Sequence, residues 1–200
     1  MRPADDSDPE MQKLWNEIVH TPSCNSVLVL CEPRLGKIKA GGDRLAKYLI
    51  SQYELSEAAQ EGSGDSYLRF VGATGESGKS YLLERASRPE TMQIGLEGLL
   101  FAEDLRAVDK AAWVISQRNP QLPNVLAVNV MRLNMITSGV IRPGDVAFLR
   151  RLEEDKAFDL RGYASRALKD LEDRGLIVPD ERYPHPADLK MWVPNPVKYD

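Results

Sequence analysis

Cysteine and histidine are nearly missing from this chain. Cys24 and Cys31 are the only thiols in 200 residues, and His20 and His185 the only imidazoles. Two thiols seven positions apart, with the histidines in unrelated segments, lack the spacing of a zinc site. They read as reduced thiols of a cytoplasmic protein. A long apolar run is also missing: no stretch approaches the ~20 residues that cross a bilayer. The first ten residues, MRPADDSDPE, are acidic and contain proline, the opposite of a secretory leader. Excess positive charge is absent too. Lys and Arg total 26 against 30 Asp and Glu, a net charge of −4, which excludes a uniformly basic nucleic-acid coat but leaves room for a local basic face. There is no internal repeat, no low-complexity tract and no Ser/His/Asp or Cys/His arrangement. Whether the chain is an enzyme stays open, with the balance leaning against it and no catalytic residue assigned.

What is present suffices for a core: 42% of residues are hydrophobic. Residues 1–10 read as a disordered acidic tail. EMQKLWNEIVH carries Met11, Leu14, Trp15, Ile18 and Val19 at helical spacing. SVLVLCEP reads as a buried strand closed by Pro33. After Gly41 and Gly42, Asp43 caps a helix with Leu45, Leu49, Tyr53 and Leu55 along one side. YLRFVGA reads as a strand, SYLLERA as strand or short helix, and TMQIGLEGLLFA as extended, weakened by two glycines. EDLRAVDKAAWVISQ is a helix with Leu105, Val108, Ala112 and Ile115 on one side. RNPQLPN, with two prolines, marks a domain boundary. Beyond it VLAVNVMRLNMITSG reads as a buried helix or a strand, and RPGDVAFLRRLEED as a helix presenting Val146, Phe148, Leu149 and Leu152. The expected organisation is a mixed α/β or α+β module over 11–119, then a second domain over 124–200.

One motif in the first part invites a chemical reading. Ala73-Thr74-Gly75-Glu76-Ser77-Gly78-Lys79-Ser80 nearly matches G-x-x-x-x-G-K-S, in which backbone N–H groups cradle phosphates, the Lys reaches the terminal oxygens and the Ser holds Mg²⁺. Gly75, Gly78, Lys79 and Ser80 would then bind a Mg-nucleotide. The acidic partners on offer are Glu32, Glu103 and Asp104. The rival reading is a β-hairpin with TGESGK at its tip, in which Lys79 at most touches a nucleic-acid backbone.

The second part carries the sharper signal. In Tyr163-Ala164-Ser165-Arg166-Ala167-Leu168-Lys169-Asp170-Leu171-Glu172-Asp173-Arg174-Gly175-Leu176-Ile177, Ala164, Leu168 and Leu171 share one helical face. Ser165, Arg166 and Lys169 fall off that face, near the helix start, and Gly175 sits where a left-handed cap ends a helix. The run resembles the recognition helix and exit of winged helix-turn-helix DNA-binding domains. The resemblance covers residues 124–196 and implies an α+β winged-helix domain. Its wing would pair LIVPDERY with DLKMWVPN, where Leu189, Met191 and Val193 alternate with polar and aromatic neighbours. It further implies that Ser165, Arg166 and Lys169, with Tyr163 beside them, meet the major groove, and that Arg161, Arg182 and Lys190 contact phosphates. Acidic residues precede the helix: Glu153, Glu154, Asp155 and Asp159 would repel phosphate if they faced it.

The reading is therefore a cytoplasmic, duplex-DNA-binding protein with no cofactor. Its role would be transcription regulation or replication initiation and maintenance, the latter by analogy with the wing exits of plasmid initiators. A homodimer is expected, with residues 11–20 and 105–116 available for a helical interface. Two alternatives remain open: an ATP- or GTP-binding protein using Lys79 and Ser80, and a protein-interaction subunit of a larger assembly.

Overall fold

Apolar residues at helical spacing account for most of what the chain builds. The computed structural model describes residues 8–21, 32–58, 65–157 and 159–178. Among these residues every regular element is helical: α1 (Pro9–Val19), α2 (Glu32–Ala58), α3 (Asp65–Val71), α4 (Glu76–Arg85), α5 (Met92–Gly98), a 3-10 turn (Leu99–Phe101), α6 (Leu105–Ser116), α7 (Asn124–Ser138), α8 (Pro143–Glu154) and α9 (Arg161–Asp173). The start signals are local. Asp8 accepts a hydrogen bond from the Met11 N–H at α1, Asp104 accepts from the Arg106 N–H at α6, and Pro143 opens α8. Residues 22–31, with the strand expected there, and 179–200, with most of the expected wing, lie outside the described residues.

The mixed α/β or α+β module and the sheet-bearing winged-helix domain are corrected by this all-helical architecture: no strand occurs among the described residues. YLRFV lies in α3, where Leu68, Phe70 and Val71 are all buried and the Phe70 ring packs edge-to-face with Trp15 of α1, their centroids 5.0 Å apart. Seven residues carry too little local preference to resist packing from several sides. SYLLERA completes α4, so there is no hairpin around TGESGK. TMQIGLEGLLFA forms α5 and the 3-10 turn, because Met92, Leu96 and Leu99 follow the helical period and are buried. Residues 176–178 run on from α9 without forming a strand.

Glycines make these short helices possible. A Cβ on Gly72 would lie 2.0 Å from the Gly98 carbonyl oxygen, and one on Gly95 would lie 2.3 Å from the Ala86 nitrogen. α3, α4 and α5 therefore cross at distances that only glycine permits, and the two glycines that argue against order in the sequence are points of contact. Gly42, at φ 51° and ψ −145°, breaks α2 into two helical pieces. Leu45, Leu49 and Tyr53 of the second piece are buried, whereas Leu55 is exposed. Arg34 of the first piece is buried and donates to the Ile18 and Val19 carbonyls, closing the C-terminal end of α1.

α7 is the axis of the molecule. It is apolar on several sides and packs on α5, the 3-10 turn, α6 and α9. A single apolar core runs from Met11 to Ile177, through the turn at 117–123 that joins α6 to α7. The wholly buried Asn134 fixes the placement of α7: its Nδ2 donates to the Leu99 carbonyl at 2.7 Å and the Val130 carbonyl at 2.9 Å, and its Oδ1 accepts from the Asp104 N–H at 3.1 Å. α8 is held differently. Arg142 donates to both oxygens of the fully buried Asp145, at 2.7 and 2.9 Å, and to Asp109 of α6 at 2.6 Å.

Two consequences are measurable. Replacing Asn134 by Leu keeps the branching and the number of heavy atoms but strands the Leu99 carbonyl and the Asp104 N–H. Urea unfolding should show a loss of roughly 2–4 kcal/mol. Arg142→Met leaves Asp145 charged and unpaired, which should cost about 3 kcal/mol at pH 7. Burial raises the Asp145 carboxyl above its ordinary range, against the opposing pull of Arg142. The folded state thus holds that proton more tightly than the unfolded chain, and stability from this group grows as pH falls through the raised value. The deficit of Arg142→Met should therefore shrink as the pH is lowered from 7 towards 4, as urea midpoints at several pH values would show.

Candidate nucleic-acid interface

α9 packs on α7 and α8 through Ala164, Ala167, Leu168 and Leu171, all buried. The face expected from the sequence is the face used. Its end is also as expected: Gly175 has φ 66°, its N–H reaches the Glu172 carbonyl, and the Leu176 N–H reaches the Leu171 carbonyl at 2.9 Å, a Schellman closure. Arg166 and Lys169 lie on the side away from these, Tyr163 and Ser165 on its flanks, and Arg161 at the helix start; all five are exposed, Tyr163 by 47%. Among the described residues none of these three cations has an ion-pair partner. Arg182 and Lys190 lie outside the described residues.

The acidic residues that count against phosphate contact are partly neutralised within the fold. Asp170 is bound by Arg132 of α7, and Asp155 by Arg118 at 2.7 Å. These pairings span 38 and 37 positions, so the sequence alone does not expose them. Glu153 and Glu154 sit in the last turn of α8 and Asp159 just before α9, the last two exposed. Glu172 and Asp173 lie in the final turn of α9, where Asp173 is about 18 Å along the axis from Arg161 at 1.5 Å per residue. No side chain caps the N-terminus of α9, whose first turn hydrogen-bonds to the Leu160 carbonyl. Arg161, Arg166 and Lys169 thus give the first nine residues of the helix an exposed cationic side, with acids before it and Glu172 and Asp173 directly after it.

The glycine loop is a turn between two helices. Gly75 is the N-cap of α4, and no strand precedes it. The open N–H groups of that helix start are the feature a phosphate would use, and a residue of this chain occupies them. Asp43 Oδ1 accepts from the Ser77 N–H at 2.9 Å and from the Ser77 hydroxyl at 2.8 Å. Asp43 was expected to cap its own helix; with Gly42 turning the backbone just before it, it serves α4 instead. Gly75 and Gly78 are required for closeness: a Cβ would lie 2.2 Å from Asp43 Oδ1 at the first and 2.5 Å from the Val71 carbonyl oxygen at the second. Ser80 donates to Glu76. Arg106 bridges Glu76, at 2.5 and 2.8 Å, and Asp104, at 2.5 Å to its nearer oxygen. Burial would raise the Asp104 carboxyl, but the Arg106 bonds and charge, with a contribution from Lys79, hold it below its ordinary range. Glu103, another of the three acidic partners on offer, pairs with Lys39 at 2.8 Å. Three carboxylates, Asp43, Glu76 and Asp104, surround the helix start and are matched by Lys47, Lys79 and Arg106, with Asp43 already seated on the helix N–H groups that a phosphate would need.

The sequence contained one signal for this arrangement. A carboxylate directly after a Gly-Gly pair is a capping residue; which helix it caps depends on tertiary contact. Among the described residues no cluster of three or more His, Cys, Asp and Glu side chains has the geometry of a metal site. No helix among them is long and apolar enough to cross a membrane. No family model, curated protein or solved structure matches the chain.

The Asp43 cap makes a pH-dependent prediction. The Ser77 N–H, then the Ser77 hydroxyl, hold the Asp43 carboxyl below its ordinary value of 3.8. A lowered folded pKa gives stability that is present above the unfolded value and lost as pH falls through the folded one. Asp43→Ala should melt at a lower temperature than the wild type at pH 7. The two melting temperatures should converge as the pH is taken below that value.

Proposed function

We propose that the protein binds double-stranded DNA through the exposed face of α9, in a role in transcription regulation or in replication initiation or maintenance. The observation that carries the reading is the set of cations without ion partners among the described residues, Arg161 at the start of α9 and Arg166 and Lys169 on its outward side, while Ala164, Ala167, Leu168 and Leu171 are buried on α7 and α8. Arg166 and Lys169, three apart, rise together from the helix surface, and Ser165 adds a short hydroxyl. Arg offers a bidentate fork to guanine edges or phosphates, and Lys a point charge. α8, the six-residue turn and α9 give two packed helices with the second one exposed, the arrangement in which a helix enters a groove. Tyr163, exposed at the start of α9, is placed to stack or to donate to a phosphate.

Local charge, rather than the net −4 of the chain, governs this reading. Tying Asp170 and Asp155 to arginines leaves the helix start with a cationic surplus. The flanking Glu154 and Asp159 weaken non-specific attraction and so favour a reader that needs a matched site over one that coats DNA. A homodimer belongs to the same reading, because paired recognition helices match paired half-sites.

The test is a fluorescence-anisotropy titration of random and selected duplexes at two salt concentrations. Replacing Arg166 and Lys169 together by Gln should weaken binding by roughly tenfold or more and lower the salt slope by about two phosphates. Both side chains are exposed, so the melting temperature should stay within a degree or two. Unchanged binding by the double variant, or no binding of the wild type to any duplex at low salt, would overturn the proposal.

A further inference from the structure

A cleft of about 780 Å³ opens beside the start of α9. Its walls come from three places: Glu97 of α5, the turn from Arg118 into the first residues of α7, and the segment that ends at Asp159 and Leu160. The volume falls in the range that holds a small organic molecule. Leu122, Leu126 and Leu160 supply apolar wall, while the polar groups include the carboxylates of Glu97 and Asp159.

The hydrogen-bond balance of the walls says what kind of molecule fits. Asn124 is 6% exposed, and both bonds donated by its Nδ2 go to protein carbonyls, Asn119 at 2.7 Å and Leu122 at 3.1 Å. Its Oδ1 is buried and has no hydrogen-bond partner. The Gln93 amide donates to Glu97. Glu97 meets a cation only at 3.8 Å, in Arg69, and Asp159 has no ion-pair partner among the described residues. Arg118, the one cation in the wall, is engaged by Asp155. Two carboxylates, Glu97 and Asp159, therefore share this cleft with an apolar lining and the Asn129 amide, so its charge is negative apart from the engaged Arg118. An anion would meet the negative charge of both carboxylates, which a protonated nitrogen offsets instead.

We propose that this cleft is a ligand site for a small amphipathic amine, a protonated nitrogen on an apolar or aromatic body, and that occupancy adjusts α9. The nitrogen donates to Glu97 and Asp159, and the body lies on Leu122, Leu126 and Leu160. The coupling is structural. The Leu160 carbonyl accepts the first bonds of α9, from the Tyr163 and Ala164 N–H groups at 3.1 and 2.9 Å. The Arg118–Asp155 ion pair ties the turn on one side of the cleft to the segment leading into α9 on the other. A ligand held between them changes how the first turn of α9, with Arg161 and Ser165, is presented. The coupling half of this proposal rests on the DNA-binding reading; the ligand site does not.

The experiment uses the full chain and three probes followed by NMR chemical-shift titration: tryptamine, indole-3-acetate and methylamine. Tryptamine is expected to saturate at millimolar concentration or below, while the acid with the same body and the bare amine do not. Asp159→Asn and Glu97→Gln, each removing one charged acceptor, should weaken tryptamine by roughly tenfold. Asp159 is exposed, so its variant also serves where Glu97→Gln perturbs folding. Failure of tryptamine to saturate, equal binding of indole-3-acetate, or full tryptamine affinity in both variants overturns the site. Repeating the duplex titration with saturating tryptamine tests coupling, with a shift of about threefold or more in apparent Kd expected. Saturable tryptamine binding with no duplex binding at all would uphold the site and overturn both the coupling and the DNA reading. Duplex binding indifferent to bound tryptamine would overturn the coupling alone.

Discussion

The amide of Asn134 is the contact on which the arrangement of the other helices turns. A helix with apolar residues on several faces has little to tell one rotation about its axis from another, because most faces bury well. α7 is such a helix, and it must touch α5, the 3-10 turn, α6 and α9 at once. A buried amide removes the ambiguity. It is tolerated only in the rotation that satisfies its hydrogen bonds, and here these reach the Leu99 carbonyl and the Asp104 N–H. Both partners sit where the chain passes from the 3-10 turn into α6. One side chain therefore sets the register of α7 and the start of α6, and with them the floor on which α9 rests.

Arg142 performs the matching task for α8 by a costlier route. Asp145 is fully buried at the first turn of α8, a position that suits a carboxylate electrostatically but strips it of water. The guanidinium satisfies it, and its remaining reach goes to Asp109 of α6. α8 is thus tied to α6 by charge while α7 is tied to the 3-10 turn by an amide. α9, packed on both α7 and α8, has no comparable polar anchor in its interior; its inner face is alanine and leucine. Its polar tie is peripheral instead, the half-buried Arg132–Asp170 pair to α7.

What the sequence made legible follows the range of the interactions. The inner face of α9, its glycine closure, the buried face of α6 and the start of α8 rest on contacts within one or two turns, and periodicity reports those directly. The strand readings failed where elements are short and tertiary contact decides. Leu68, Phe70 and Val71 in α3 satisfy an alternating pattern as well as a helical one until Trp15 is brought against them. The glycine loop misled for a related reason. Gly75 and Gly78 mimic a phosphate cradle, yet a glycine needed to let a carboxylate or a carbonyl approach looks identical in sequence to one needed to let a phosphate approach. The Asp43–Ser77 bond spans 34 positions, and no local pattern encodes it.

The same separation of scales bears on charge. Counted along the chain, acids exceed bases and surround the helix that was expected to meet DNA. Counted in space, Arg132 and Arg118 absorb Asp170 and Asp155, Arg106 absorbs Glu76 and Asp104, and Arg142 absorbs Asp109 and Asp145. Arginine, with its fork of donors, is spent inside the fold on carboxylates that would otherwise be stranded. Arg166 stays outside such pairs because Asp170, four positions on, is already held by Arg132; Lys169 has Glu172 and Asp173 three and four positions on, yet forms no ion pair with either. A surplus of cations on one short surface of an acidic protein is thus a product of how the other charges are paired. It follows that removing Arg132 would not only loosen α7 from α9 but also return Asp170 to the cationic face and weaken it.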